Sequence, residues 1–213
     1  MNPTEALNLL RTNHVEAINR GCVFKVENTT NNATSGGQCN TNISLLPNSR
    51  DENMFLINID NNGIGGDYYY PYRTDGDKIG RCNVPKNVPV GTLVFTGGMN
   101  GCALQVDDQG TNLEFMHCKD GCGQSNGNTL LRIVFDQYAG PNGTLLDAKL
   151  RQMNFRPVFS DGGGELLCYY SYYFITIKVA ETMWAVYVNC IVQAANNSKF
   201  YRVPGVILYP FST

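Results

Sequence analysis

Between residues 166 and 193 the chain has few alternatives to extended structure. Leu166 to Val179 and Trp184 to Gln193 are dense in Tyr, Val, Ile and Phe, the aromatic and β-branched side chains that suit a pleated surface. The short break at Ala180-Glu181-Thr182 joins the two runs, which predicts a long hairpin. Val206 to Tyr209 adds a further strand. Shorter strands are expected over Cys22 to Val26, Phe55 to Ile59, Leu93 to Thr96, Ala103 to Val106, Leu113 to Cys118 and Leu130 to Phe135.

Helical signals are fewer. Leu7, Leu10, His14, Ala17 and Ile18 recur at helical spacing, with Pro3 in the first turn and Gly21 as a stop, so one helix is predicted there. Leu145 to Met153 reads as a second helix. Glu27 to Asn53 is a polar stretch too long for an ordinary connection, and Gly63 to Asp75 is a Gly/Tyr loop. Helices near one end and strands elsewhere give an α+β class, with a mixed, largely antiparallel β-sandwich core flanked by helices. A length of 213 residues fits one domain covering the whole chain, 1–213.

Composition removes several function classes. Sixteen basic residues against 18 acidic ones leave a net charge of −2, a balance that argues against a nucleic-acid binder, whose phosphate contacts need a basic face. No apolar run reaches 18 residues, so no membrane span is expected. Met1-Asn2-Pro3-Thr4-Glu5 has neither the basic nor the apolar region of a Sec signal. The eight cysteines are therefore expected to be mostly reduced, packed as small hydrophobes.

The segment with most chemical content runs from Phe95 to His117. A two-residue loop at Gln109-Gly110 would oppose Val106 to Leu113, Leu104 to Phe115 and Cys102 to His117. These six side chains then share one face, because strand side chains alternate with period two, and the opposite face is mostly polar. A thiol beside an imidazole is a nucleophile with its acid–base partner, and an imidazolium there lowers the thiol pKa. Gly97, Gly98 and Gly101 free the preceding backbone, and the N–H groups of Gly101 and Cys102 are candidates for an oxyanion hole.

Thr96, Asn100-Gly101-Cys102 and a histidine fifteen residues after the cysteine resemble the glutamine-deamidase toxins built on the cytotoxic necrotizing factor catalytic fold, Burkholderia lethal-factor-like members included. The resemblance covers roughly residues 93–118. It implies an effector toxin, made in the bacterial cytoplasm and delivered to the host cytosol, that converts a host-protein glutamine to glutamate. Cys102 would be the nucleophile, His117 the proton carrier and Thr96 the third active-site residue. In lethal-factor-like members the implied target is a translation-initiation RNA helicase. No metal or organic cofactor is implied, and a monomer is expected. Transglutamination, small-amide hydrolysis and a non-catalytic binding module are the alternatives.

Other candidates are weaker. His14 lies on the apolar face of the first helix, as a packed histidine would. His117, Cys118 and Cys122 with Cys82 suggest zinc, but neighbours in a strand point to opposite faces. The run Tyr68-Tyr69-Tyr70-Pro71-Tyr72 suits either loop packing or a protein-binding groove.

Overall fold

The computed structural model describes residues 1–28, 36–61, 63–99, 101–121, 123–134, 168–194, 198–203 and 206–213. The helix expected over Leu145 to Met153 lies outside them.

The first helical stretch is two helices, α1 (Pro3–Thr12) and α2 (His14–Asn19), not the single one expected. Asn13 divides them, with φ −151° and ψ 65°. Its backbone N–H ends α1 on Leu9 O at 2.7 Å, and its side chain starts α2 by accepting from Glu16 N at 3.2 Å. Asparagine competes with the helix for backbone groups and so favours a cap, which apolar periodicity does not report. Gly21, at φ +69°, closes α2 in the left-handed conformation.

Two sheets follow. The larger has β1 (Val23–Asn28), β3 (Met54–Asp60), β2 (Gly37–Leu45), β4 (Asp67–Tyr69), β6 (Leu93–Phe95), β10 (Cys168–Lys178), β11 (Met183–Ala194) and β12 (Phe200–Arg202) in spatial order, with β13 (Ile207–Ser212) also on β11. Only β1–β3 and β4–β6 pair in parallel. The smaller sheet, β5 (Ile79–Pro85), β8 (Asn112–Cys118), β7 (Ala103–Asp108) and β9 (Thr129–Val134), is wholly antiparallel. The fold is thus mixed α+β with a largely antiparallel core, as expected. The long hairpin is present as β10 and β11, paired from Cys168↔Ala194 to Lys178↔Trp184.

Both faces of that hairpin are buried. Tyr172, Phe174, Trp184, Val186 and Val188 join the core between the sheets, facing Leu104, Val106, Leu113 and Phe115. Tyr173, Ile175, Ile177, Tyr187 and Ile191 join a second core with Ala6, Leu10 and Ala17 of the helices and Phe24, Phe55 and Ile57. Burial on both faces explains why the sequence is continuously apolar there rather than alternating.

The large sheet curls until β1 meets β11. Asn189 Oδ1 accepts from Phe24 N at 3.1 Å and its Nδ2 donates to Phe24 O at 3.0 Å, while the Tyr187 hydroxyl donates to Cys22 O at 2.6 Å. One amide side chain thereby satisfies both backbone groups of a strand residue. At the helix side, Arg11 Nη1 donates to Asp67 Oδ1 at 2.8 Å, and the same buried carboxylate accepts from Thr41 Oγ1 and Leu93 N. This pair ties α1 to three strands.

Candidate active site

The site lies where the chain passes from one sheet to the other. β6 ends at Phe95 and Thr96 follows, fully buried. Met99 remains attached to the large sheet, exchanging backbone hydrogen bonds with Tyr172 at 2.7 and 3.1 Å. A Cβ at Gly98 would stand 3.1 Å from Ser171 Cβ, so the chain hugs β10 closely at that point. Gly101, at φ +82°, then turns into β7, a conformation that disfavours any side chain. Cys102 immediately precedes β7, buried in the apolar cluster that also holds Leu104, Val106 and Phe115.

The register differs from the expected one. His117 is opposed by Leu104 and Val106 by Phe115, so Cys102 is not directly across from His117. The cause is the turn. Gln109 N donates to Asn112 O at 2.9 Å, leaving Gly110 and Thr111 as the loop residues. Gly110, with φ +79°, occupies the first loop position, where a primed turn with one positive φ requires glycine. Moving the turn centre by one residue moves the pairing by two, and an even shift leaves every side chain on its face. Cys102 therefore keeps the face of His117 and becomes its diagonal neighbour, a separation of about 7–8 Å between Cα atoms in a regular ladder.

His117 occupies the middle of the small sheet, between Leu104 of β7 and Gly80 of β5, and is inaccessible to solvent. Thr96 Oγ1 lies 2.7 Å from its Nδ1, a contact from the segment after β6 to the small sheet. Its Nε2 is buried with no hydrogen-bond partner among the described residues. The Tyr72 ring packs over the imidazole at 5.1 Å between centroids, inclined by 57°. Tyr68, Tyr69 and Tyr70 are buried in the two cores, which answers the tyrosine run with packing at three positions and a site contact at the fourth.

Burial pushes the His117 pKa down to about 4. The imidazole is neutral at pH 7, in place of the thiol-activating imidazolium that the spacing suggested. The unfolded chain binds a proton near pH 6.5, so it holds more protons than the native state between pH 4 and 6.5. The contribution of His117 is complete above pH 6.5, falls as the pH drops toward 4 and levels off below it. The loss amounts to about 3 kcal/mol. His14 is lowered by burial too and acts in the same direction. Urea midpoints measured across that range should slope more steeply in the parent than in His117→Gln, where His14 remains.

Among the described residues, three other thiols are disfavoured as nucleophiles by burial. Burial raises the thiol of Cys22 and that of Cys39, and pushes Cys82 up to about 12. Cys22, Cys39, Cys82, Cys102, Cys118 and Cys190 are all buried and outside any disulfide. Cys118 packs with Ala103 and Met116, apart from the cluster next to His117, and Cys122 is outside the described residues. Among the described residues no three His, Cys, Asp or Glu side chains are grouped to hold a metal. His14 heads α2 and is half-buried.

Sequence reasoning missed Gly80, Pro71 and Tyr72 as parts of this site. Their contacts join elements distant in the chain, and no local motif signals them. It also missed the buried network behind the sheet. There Asp107 accepts from Gln105 Nε2 at 2.9 Å, Asn126 Nδ2 at 2.9 Å and Thr129 Oγ1 at 2.8 Å, while Arg132 donates to Gln105 Oε1 at 2.7 Å.

No protein-family model matches the chain, and no curated protein matches it. Among solved structures it is similar to the C-terminal domain of CNFy from Yersinia pseudotuberculosis, at 12% identity and a TM-score of 0.32. The match covers 68% of this chain and 62% of that one, so less than two thirds of that domain's length is spanned. No helix among the described residues is long and apolar enough to cross a membrane. The chain is thus a mixed α+β protein with weak structural similarity to a CNF-type C-terminal domain.

Proposed function

We propose that the protein is a cysteine-dependent glutamine deamidase, with Cys102 as nucleophile, His117 as base and acid, and Thr96 as positioning residue. The observation that carries this reading is the 2.7 Å contact of Thr96 Oγ1 with His117 Nδ1, with Nε2 buried and without a hydrogen-bond partner among the described residues. A buried ring nitrogen without a partner costs free energy, and a reacting group is one reason to retain it.

In the mechanism, Nδ1–H donates to Thr96 Oγ1 and Nε2 carries the lone pair. Nε2 accepts the Cys102 thiol proton as sulfur attacks the carboxamide carbon. The oxyanion forms at the turn, where the N–H groups of Gly101 and Cys102 are its donors. Nε2–H then protonates the departing nitrogen, releasing ammonia and a thioester. Water gives one proton to Nε2 and adds to the thioester carbonyl; the C–S bond breaks, Nε2–H returns the proton to sulfur, and the carboxylic acid and thiol are released. The sum is carboxamide plus water giving carboxylic acid plus ammonia, with no metal or cofactor. A neutral base at pH 7 suits this order of events better than a protonated one.

The proposed substrate is a host protein, and the proposed place of action is the host cytosol, reached from the bacterial cytoplasm. A reducing compartment preserves a thiol, and Cys102 is outside any disulfide. Host lysate treated with the protein should show a peptide gaining ~1 Da by exchange of glutamine for glutamate. With millimolar primary amine added, that product should still exceed amine adducts. Predominant adducts would make the enzyme a transglutaminase, and no modification at all would leave a binding module.

Thr96→Val keeps the β-branched shape and removes the hydroxyl. The buried Nδ1 loses its partner, which should cost about 1–3 kcal/mol of stability. Deamidation should fall roughly tenfold or more, as about 1.4 kcal/mol of lost orientation implies. Denaturant titration and initial rates measure the two effects separately.

A further inference from the structure

His117 has no exposed surface, while the ring that packs on it belongs to a residue 45% exposed. Tyr72 is therefore the boundary between the imidazole and solvent. Its position is fixed from below. Tyr70 N donates to Phe95 O at 3.0 Å, anchoring the chain to β6 just before the site-bearing Thr96. Pro71 lies directly on Gly80, where a Cβ would come within 1.6 Å of Pro71 O. Gly80 is in turn the β5 partner of His117. The missing side chain at position 80 admits the Pro71 backbone, and that backbone delivers the phenol ring to the imidazole.

We propose that Tyr72 is a positioning residue for His117, its ring closing the solvent side of the imidazole and holding it in the orientation that bonds Thr96. The proposal rests on the reading of His117 as the base. It extends the site to a residue outside the Thr96, Cys102 and His117 set. The ring, rather than the hydroxyl, performs the task, because an aromatic face excludes water from the neighbouring imidazole. Around His117 stand Thr96 after β6, Leu104 from β7, Gly80 from β5, Tyr72 from the loop after β4 and Cys102 on the diagonal. None of these carries a permanent charge, so water exclusion is the influence the ring can exert.

The chain has two histidines, so His14→Gln leaves His117 as a single imidazole reporter. In that background, NMR titration of the ring should be unchanged by Tyr72→Phe. Tyr72→Ala should raise proton affinity at least about tenfold, toward that of a solvated imidazole. Tyr72→Leu, which keeps apolar cover, should fall between and serves as the reading if the alanine variant does not fold. The acid limb of the deamidation rate should shift upward in Tyr72→Ala and part of the way in Tyr72→Leu, with kcat falling more than KM rises. A titration unmoved by both Tyr72→Ala and Tyr72→Leu would overturn the proposal. A titration that moves while no variant, nor the parent, deamidates glutamine would retain the positioning role and reject the enzymatic reading.

Discussion

Cys102→Ala should eliminate deamidation, by at least about 1,000-fold, while the domain stays folded. Burial or position sets three other described thiols apart from it. Cys39 and Cys82 are held protonated by burial, and Cys118 packs in a different cluster from the one bordering His117. Removing a small buried side chain costs about 1 kcal/mol, well inside the margin of a domain. Intact-mass analysis of a responsive protein, paired with a denaturation curve, measures both quantities. Retained modification by the alanine variant would sink the thiol mechanism outright. Cys102→Ser is the finer probe, since a hydroxyl keeps the volume and lacks an accessible anion near pH 7.

Gly80→Ala should be the most damaging single-methyl change in the site, costing roughly 3–5 kcal/mol. In a solvent-exposed segment of compatible geometry the same exchange stabilises by about 0.4–1 kcal/mol, because it restricts the unfolded chain. Here the added carbon would meet Pro71 O at 1.6 Å and Pro71 C at 2.6 Å. Both are backbone atoms, so no rotamer relieves the contact. β5 must separate from the Pro71 loop, and Tyr72 moves with that loop. Gly97→Ala is the control, since nothing stands within 4 Å of its added Cβ. A urea midpoint shared by the two variants would refute this account of the β5 approach.

The hairpin of β10 and β11 was legible because both faces are buried and the composition is extreme. The apolar face carrying Cys102 and His117 was legible for a different reason: alternation fixes parity, and parity survives an even register error. The register itself was not legible, because Gly110 suits either loop position and only the assembled ladder selects one. β2 escaped detection because its Asn, Thr and Ser residues are half-exposed along most of its length. β5 alternates cleanly, burying Gly80, Cys82 and Val84, yet its glycine and terminal proline read as breaks. The family resemblance named Thr96 as a third site residue, and the folded chain adds its contact with His117 Nδ1. Tyr72 depends on a tertiary approach with no local signature.

The clasp of Asn189 on Phe24 bears on the order in which the chain can finish folding. It joins residues 165 positions apart, so β1 has only β3 beside it until β11 exists. During synthesis the N-terminal strand therefore waits, one edge unsatisfied, for almost the whole polypeptide to emerge. Closing so long a loop adds little to its entropy cost beyond a shorter one, since that cost grows only logarithmically with length. The delay is kinetic instead: a ribosome-bound or truncated chain ending before position 189 presents an open strand edge to whatever chaperone or neighbouring nascent chain meets it first.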